Sequence, residues 1–171
     1  MADSSAPLIL TLALDGESFA FLDGLRRAHF PPERNVVPAH VTLFHALPGE
    51  QLPAVGSLLD LVCRRQKPLL VSATGLRFMG RGVAFALESP ALQALRRELA
   101  DEWSPWLTPQ DSQRFQPHVT IQNKVAPDEA RTLHRRLSAE FQPFTIRGEG
   151  LILWRYLGGP WERIRLFRFA A

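Results

Sequence analysis

Hydrophobic residues recur along this chain in two rhythms, one strand-like and one helical, and the order of the rhythms is written twice. An aliphatic run at 8–14, broken by Thr11 and closed by Asp15, reads as a strand. Residues 16–29 place Phe19, Leu22 and Leu25 near one face at helical spacing, with Arg26 and Arg27 off it, until Pro31-Pro32 ends the helix. A loop at 33–39 leads to a second strand that stops at Pro48-Gly49. A helix over about 50–66 follows, with the stripe Val55, Leu58, Leu59 and Val62, and Pro68 closes it. Residues 69–78 form a third strand, and Met79-Gly80-Arg81-Gly82 is a turn that sets up a hairpin with a strand at 83–87.

From that strand the order begins again. Ser89 is placed to cap a helix with Pro90 at its first position, and Leu92, Leu95, Leu99 and Trp103 follow at helical spacing. A loop at 104–117 leads to another strand. Pro127, Asp128 and Glu129 start a helix with Ala130, Leu133, Leu137 and Phe141 on one face, and strands at 144–156 and 161–169 meet at Gly158-Gly159-Pro160. The chain is therefore strand, helix, strand, helix, strand, repeated, with one strand added. Such a duplication predicts a single bilobal domain over 1–171, with lobes of about 1–80 and 81–171 related by a pseudo-twofold axis and a ligand cleft between them.

The second strand of each half carries the same words. Pro38-Ala39-His40-Val41-Thr42-Leu43-Phe44-His45 returns 78 residues later as Gln116-Pro117-His118-Val119-Thr120-Ile121-Gln122-Asn123. In a strand, a His and a Thr two positions apart point the same way, roughly 6.5 to 7 Å apart, while the Val and the Leu or Ile turn to a core. Facing copies would offer two imidazoles and two hydroxyls. That set suits a phosphate ester, whose cleavage needs a base, an acid and donors for the phosphoryl oxygens. An imidazole serves as either acid or base near neutral pH. By the same alternation Phe44 and Gln122 share a face with their motif His, Phe44 to stack on a base and Gln122 to touch phosphate or ribose. His45 falls on the opposite face unless a bulge intervenes. His29 and His134 read as solvated helix residues.

Composition narrows the classes. The single cysteine, Cys63, excludes an internal disulfide and a multi-thiolate zinc site, and reads as a small buried filler on a helix. No third His or carboxylate stands beside the motif pair, so neither a metal nor another cofactor is expected. The N-terminus lacks a basic leader, and no apolar run approaches the roughly 18 residues a membrane span needs, so a soluble, cytoplasmic monomer is expected. Net charge is +3, carried by 18 Arg and only two Lys, Lys67 and Lys124. Guanidinium binds phosphate in bidentate fashion, so that bias favours phosphate-rich partners.

Two His-x-Thr-x motifs in two similar halves of a chain this size resemble the 2H phosphoesterase superfamily, in particular its 2′-5′ RNA ligase (LigT-like) branch. The resemblance extends to the ending Leu153-Trp154-Arg155 through Gly158-Gly159-Pro160-Trp161. It implies an α+β fold with antiparallel sheets lining the cleft, and metal-independent action on 2′,3′-cyclic phosphates or 2′-5′ linkages of RNA ends or nucleotides. By position, His40 and His118 would be the catalytic pair and Thr42 and Thr120 phosphate ligands. One departure stands out. Members acting on RNA ends often carry an Arg shortly after the second motif, whereas here Gln122 and Asn123 follow and the first basic residue is Lys124. The alternative is a catalytically silent nucleotide- or RNA-binding module on the same scaffold.

Overall fold

Burial alternates residue by residue along the third strand, with Leu69, Val71 and Ala73 inside and Leu70, Ser72 and Thr74 outside, as one half-solvated sheet face requires. The first strand is instead buried on both faces over Leu8–Leu12, which marks it as central. The computed structural model describes residues 4–171. Its elements are β1 (Leu8–Leu14), α1 (Gly16–His29), β2 (Thr42–Leu47), α2 (Leu52–Arg65), β3 (Leu69–Phe78) and β4 (Val83–Glu88), then α3 (Pro90–Glu102), β5 (His118–Gln122), α4 (Pro127–Glu140), β6 (Phe144–Tyr156) and β7 (Trp161–Arg168). The expected α+β class and duplicated order are both present.

Local chemistry sets the helix ends. The Asp15 carboxylate accepts from the Ser18 N–H at 3.1 Å to start α1, and the Ser89 hydroxyl accepts from the Leu92 N–H at 3.1 Å to start α3. Cys63 is buried on α2, and burial, with Asp60 nearby, pushes its thiol up to about 12.

All seven strands belong to one antiparallel sheet in the order β2-β1-β6-β3-β4-β5, with β7 also on β6. The two sequence halves do not own separate parts of it. β1 pairs with β2 and β6, while β4 pairs with β5 and β3, so the third strand of each half lies beside the first strand of the other. β3 and β6 pair with each other across the pseudo-twofold axis. A boundary near residue 80 therefore does not divide the sheet. The hairpin closed by Met79 N–H to the Gly82 carbonyl (2.9 Å) carries β3 over to β4, and the 13-residue β6 is long enough to serve both sides.

The motif strands β2 and β5 are the two outer edges of the sheet. Edge strands leave backbone groups unpaired, and here each is capped by a buried arginine from a helix of the opposite half. On α1, Arg26 donates Nη1–H to the Thr120 carbonyl at 2.8 Å; on α3, Arg96 donates Nε–H to the Leu43 carbonyl at 3.1 Å. Arg26 is only 4% exposed, contrary to its expected place off the packed face beside Arg27. Its guanidinium lies over the Phe30 ring, and burial pushes its pKa down to about 10, Asp23 opposing, so it stays charged at neutral pH.

Candidate active site

His118 opens β5 and His40 lies two residues ahead of β2, where the Leu12 N–H to Val41 carbonyl bond (2.9 Å) continues the sheet geometry. The expected alternation holds through both motifs: Val41, Leu43, Val119 and Ile121 are buried, and His40, Thr42, His118 and Thr120 are half-buried. Each histidine is held in the same way. His40 Nδ1 lies 2.8 Å from the Pro38 carbonyl and His118 Nδ1 lies 2.9 Å from the Gln116 carbonyl, in each case two residues upstream. A carbonyl only accepts, so both Nδ1 atoms carry hydrogen and both Nε2 atoms are left for a ligand.

The environment keeps both rings neutral in the free protein. Burial pushes His40 down to about 4; the Pro38 bond opposes this, and positive charge on Arg26, His118 and His45 adds to it. His118 is lowered too, by burial first, against its Gln116 bond, with Arg77 and His45 contributing. Charge on His118 bears on His40, so the two titrate as a pair. The His40 ring also packs on Trp161 of β7 at 4.7 Å between centroids, and Trp161 leans on Trp154, whose indole N–H donates to the Thr11 hydroxyl at 2.8 Å.

A cavity of about 330 Å³ opens beside His40 among Trp154, Arg163 and Arg168, and one of about 710 Å³ beside His118 among Arg77 and Arg114. The aromatic backing and these four arginines were not assigned from sequence. Nothing in a β7 tryptophan's neighbours along the chain says that it meets a histidine more than a hundred residues away.

Two other expectations fail for one physical reason. Thr42 pairs with Thr11 and Phe44 with Leu10, so Leu43 is an extra residue, and the side chains beyond it change face. In β5, Thr120 pairs with Ala84 and Gln122 with Val83, which makes Ile121 the matching extra residue. Phe44 consequently turns into the core, fully buried, edge-on to Trp103 with the Arg96 guanidinium 4.1 Å from its ring centre; it cannot stack on a base. Gln122 turns away from the motif histidine and lines a space toward α4 with His29 and Arg136, its Oε1 buried without a hydrogen-bond partner among the described residues. Lys124 is exposed in the turn before α4 with φ 64°. Nor is His134 solvated: its Nε2 lies 3.2 Å from the Leu76 carbonyl. The bulge turns His45 to the strand face that His40 and Thr42 share.

Among the described residues no group of three or more His, Cys, Asp or Glu could hold a metal ion, and no helix is long and apolar enough to cross a membrane. What the arrangement can do chemically is move a proton at each of two Nε2 atoms, with a threonine two residues beyond each histidine half-buried on the same strand face. Acid and base work by the pair would need one ring neutral and one protonated, a form that in the free protein exists chiefly between the two lowered pKa values. The pH optimum of kcat/KM is therefore expected on the acid side of neutrality, between about 4 and the ordinary histidine value of roughly 6.5. An anionic phosphate favours imidazolium, so the optimum of kcat is expected at higher pH than that of kcat/KM. Parallel pH profiles check this; a kcat/KM that climbs steadily from pH 6 to 9 would sink it.

A duplicated α+β chain with one motif histidine from each half is the scaffold of the two-histidine phosphoesterases. The chain belongs to the 2′-5′ RNA ligase superfamily, whose family model matches residues 14–160. A Thermus thermophilus protein of solved structure is 22% identical, with a TM-score of 0.63 over 95% of this chain and 97% of its own. Escherichia coli LigT in complex with 3′-AMP is 18% identical, with a TM-score of 0.64 over 98% and 99%. A crystal structure described as a phosphoesterase is 19% identical, with a TM-score of 0.61 over 98% and 99%. No curated protein matches the chain by sequence.

Proposed function

We propose that the protein is a metal-independent phosphoesterase that opens 2′,3′-cyclic phosphates, or cleaves 2′-5′ phosphodiester bonds, of RNA ends or nucleotides. The observation that supports this reading is the paired tether of His40 and His118, which fixes both tautomers and leaves each Nε2 to meet a ligand. In ring opening, the neutral imidazole takes a proton from water as the water oxygen bonds to phosphorus. The imidazolium gives its proton to the ribose oxygen as the P–O bond breaks, and Thr42 and Thr120 donate to the non-bridging oxygens. With a nucleotide 5′-hydroxyl in place of water, the same transfers form the new P–O bond as the bond to the 3′ oxygen breaks, and the product is a 2′-5′ linkage; its reverse cleaves such a linkage.

Phosphate-bearing nucleotides are favoured as ligands by the arginines flanking each histidine, and E. coli LigT has been solved with 3′-AMP, NADP⁺ and ATP. The test is a screen of cyclic mononucleotides against short 2′-5′-linked and cyclic-phosphate-ended RNAs, with phosphate position read by NMR. Turnover that survives prolonged EDTA and gains nothing from Zn²⁺, Mg²⁺ or Mn²⁺ is the expected result. Binding without turnover of any of these would leave the silent nucleotide-binding module, and loss in chelator with recovery on one metal would replace the two-histidine chemistry.

A further inference from the structure

His45 is absorbed by nothing in the mechanism above, yet it is built into the cleft. Opposite Ile9 the strand carries two residues, His45 and Ala46, because Phe44 pairs with Leu10 and Leu47 with Leu8. This second bulge presents consecutive N–H groups on the open edge, and one carboxylate takes both. Asp111, 1% exposed, accepts from the His45 N–H at 2.8 and 3.0 Å on its two oxygens and from the Ala46 N–H at 3.0 Å. Its Oδ1 also lies 3.0 Å from His45 Nδ1, and its own carbonyl is held by Arg96 at 2.6 Å. Burial raises the Asp111 pKa, but the bonds from His45 and Ala46 outweigh it and hold the group ionised below the ordinary value. A carboxylate accepts, so Nδ1 donates and the imidazole, 43% exposed, turns Nε2 outward on the cleft side.

The twin position in the second half is Asn123, also five residues beyond its motif histidine. Its Oδ1 is taken by the Lys124 N–H at 2.9 Å, which leaves the amide NH₂ as the end to offer. What histidine and asparagine share when so tethered is a nitrogen donor, whereas only one of them can exchange a proton with a ligand. The shared role is therefore hydrogen-bond donation. The geometry points to His45 as a further substrate-contacting residue, donating from Nε2 to a phosphate oxygen, with Asp111 as the residue that positions it. This rests on the phosphoester reading of the cleft. The charged and titratable groups that bear on His45 are Asp111, His40 and His118, with Arg96 behind the Asp111 carbonyl.

The test follows the ring nitrogens of all three histidines by NMR while adenosine 2′-monophosphate is added at neutral pH. The expected result is that His45 Nε2 moves toward its protonated position with the same midpoint as His40 and His118. His45→Phe, at an exposed site, is expected to weaken binding of this nucleotide about tenfold to a hundredfold, the worth of one charge-assisted bond. Asp111→Asn is expected to weaken it less while preserving the fold, because an amide oxygen can still accept from the two N–H groups. If His40 and His118 respond and His45 does not, or if His45→Phe binds as well as the parent, the inference is wrong and the phosphoester reading stands. If none of the three responds, both fall.

Discussion

Alanine at His40 or at His118 is expected to lower turnover about 10²- to 10⁴-fold, the usual worth of a general acid or base, with the fold intact. Each ring is half-buried and hydrogen-bonded to a carbonyl two residues upstream, so its removal leaves a backbone acceptor near the surface rather than an orphan in the core. Under the proposed mechanism the two act on one phosphorus, so the double variant should be little worse than the poorer single one. Glutamine in place of one histidine should also remove one limb of the pH profile. A single variant with full turnover would take that histidine out of the chemistry.

The largest stability losses are expected at Arg96 and Arg26, not in the aliphatic core. Arg96→Ala leaves the carbonyls of Leu43 and Asp111 without their donor and strips a guanidinium from between the rings of Phe44 and Phe115. Each orphaned buried carbonyl costs about 1 to 3 kcal/mol and the lost ring contact about 1 more, so a loss of about 3 to 7 kcal/mol is expected, on the order of 10 °C or more in Tm for a chain of this length. Arg26→Ala loses its bonds to Thr120 and Asn35 and should fall in the same range. Lysine should not rescue either site, since one ammonium cannot span the separate acceptors that the fork reaches. Thermal unfolding monitored by circular dichroism decides it. A shift under about 3 °C for both variants would mean that these bonds contribute little.

Much of the cleft is legible in the sequence, because a strand motif needs only its period. His40 and Thr42, and His118 and Thr120, come out together on one face from alternation alone, and every strand and α-helix appears where the hydrophobic rhythm put it to within about two residues. What the period cannot show is where it is interrupted. Leu43 and Ile121 look like ordinary strand aliphatics, yet each is the extra residue that turns Phe44 and Gln122 away and brings His45 back. Pairing across the halves is also invisible, since β3 and β6 carry no mark of which first strand they join. Arg26 misled for a related reason: an arginine on a helix flank reads as solvated until an edge strand from the other half supplies the carbonyl it binds.

That crossing of third strands has a consequence for what the unit of function is. Two copies that lend each other a strand have the connectivity of a domain-swapped dimer, here closed into one polypeptide through the turn at 79–82. Neither copy released from the other would keep its sheet, because its first strand would lose a partner and its third would carry a bare edge into solvent. Nor would it keep a cleft, since each motif strand is braced by an arginine from the other copy. Folding and the bringing of both motif strands into one sheet are therefore the same event, and a half-length fragment would lack both the scaffold and the proposed site.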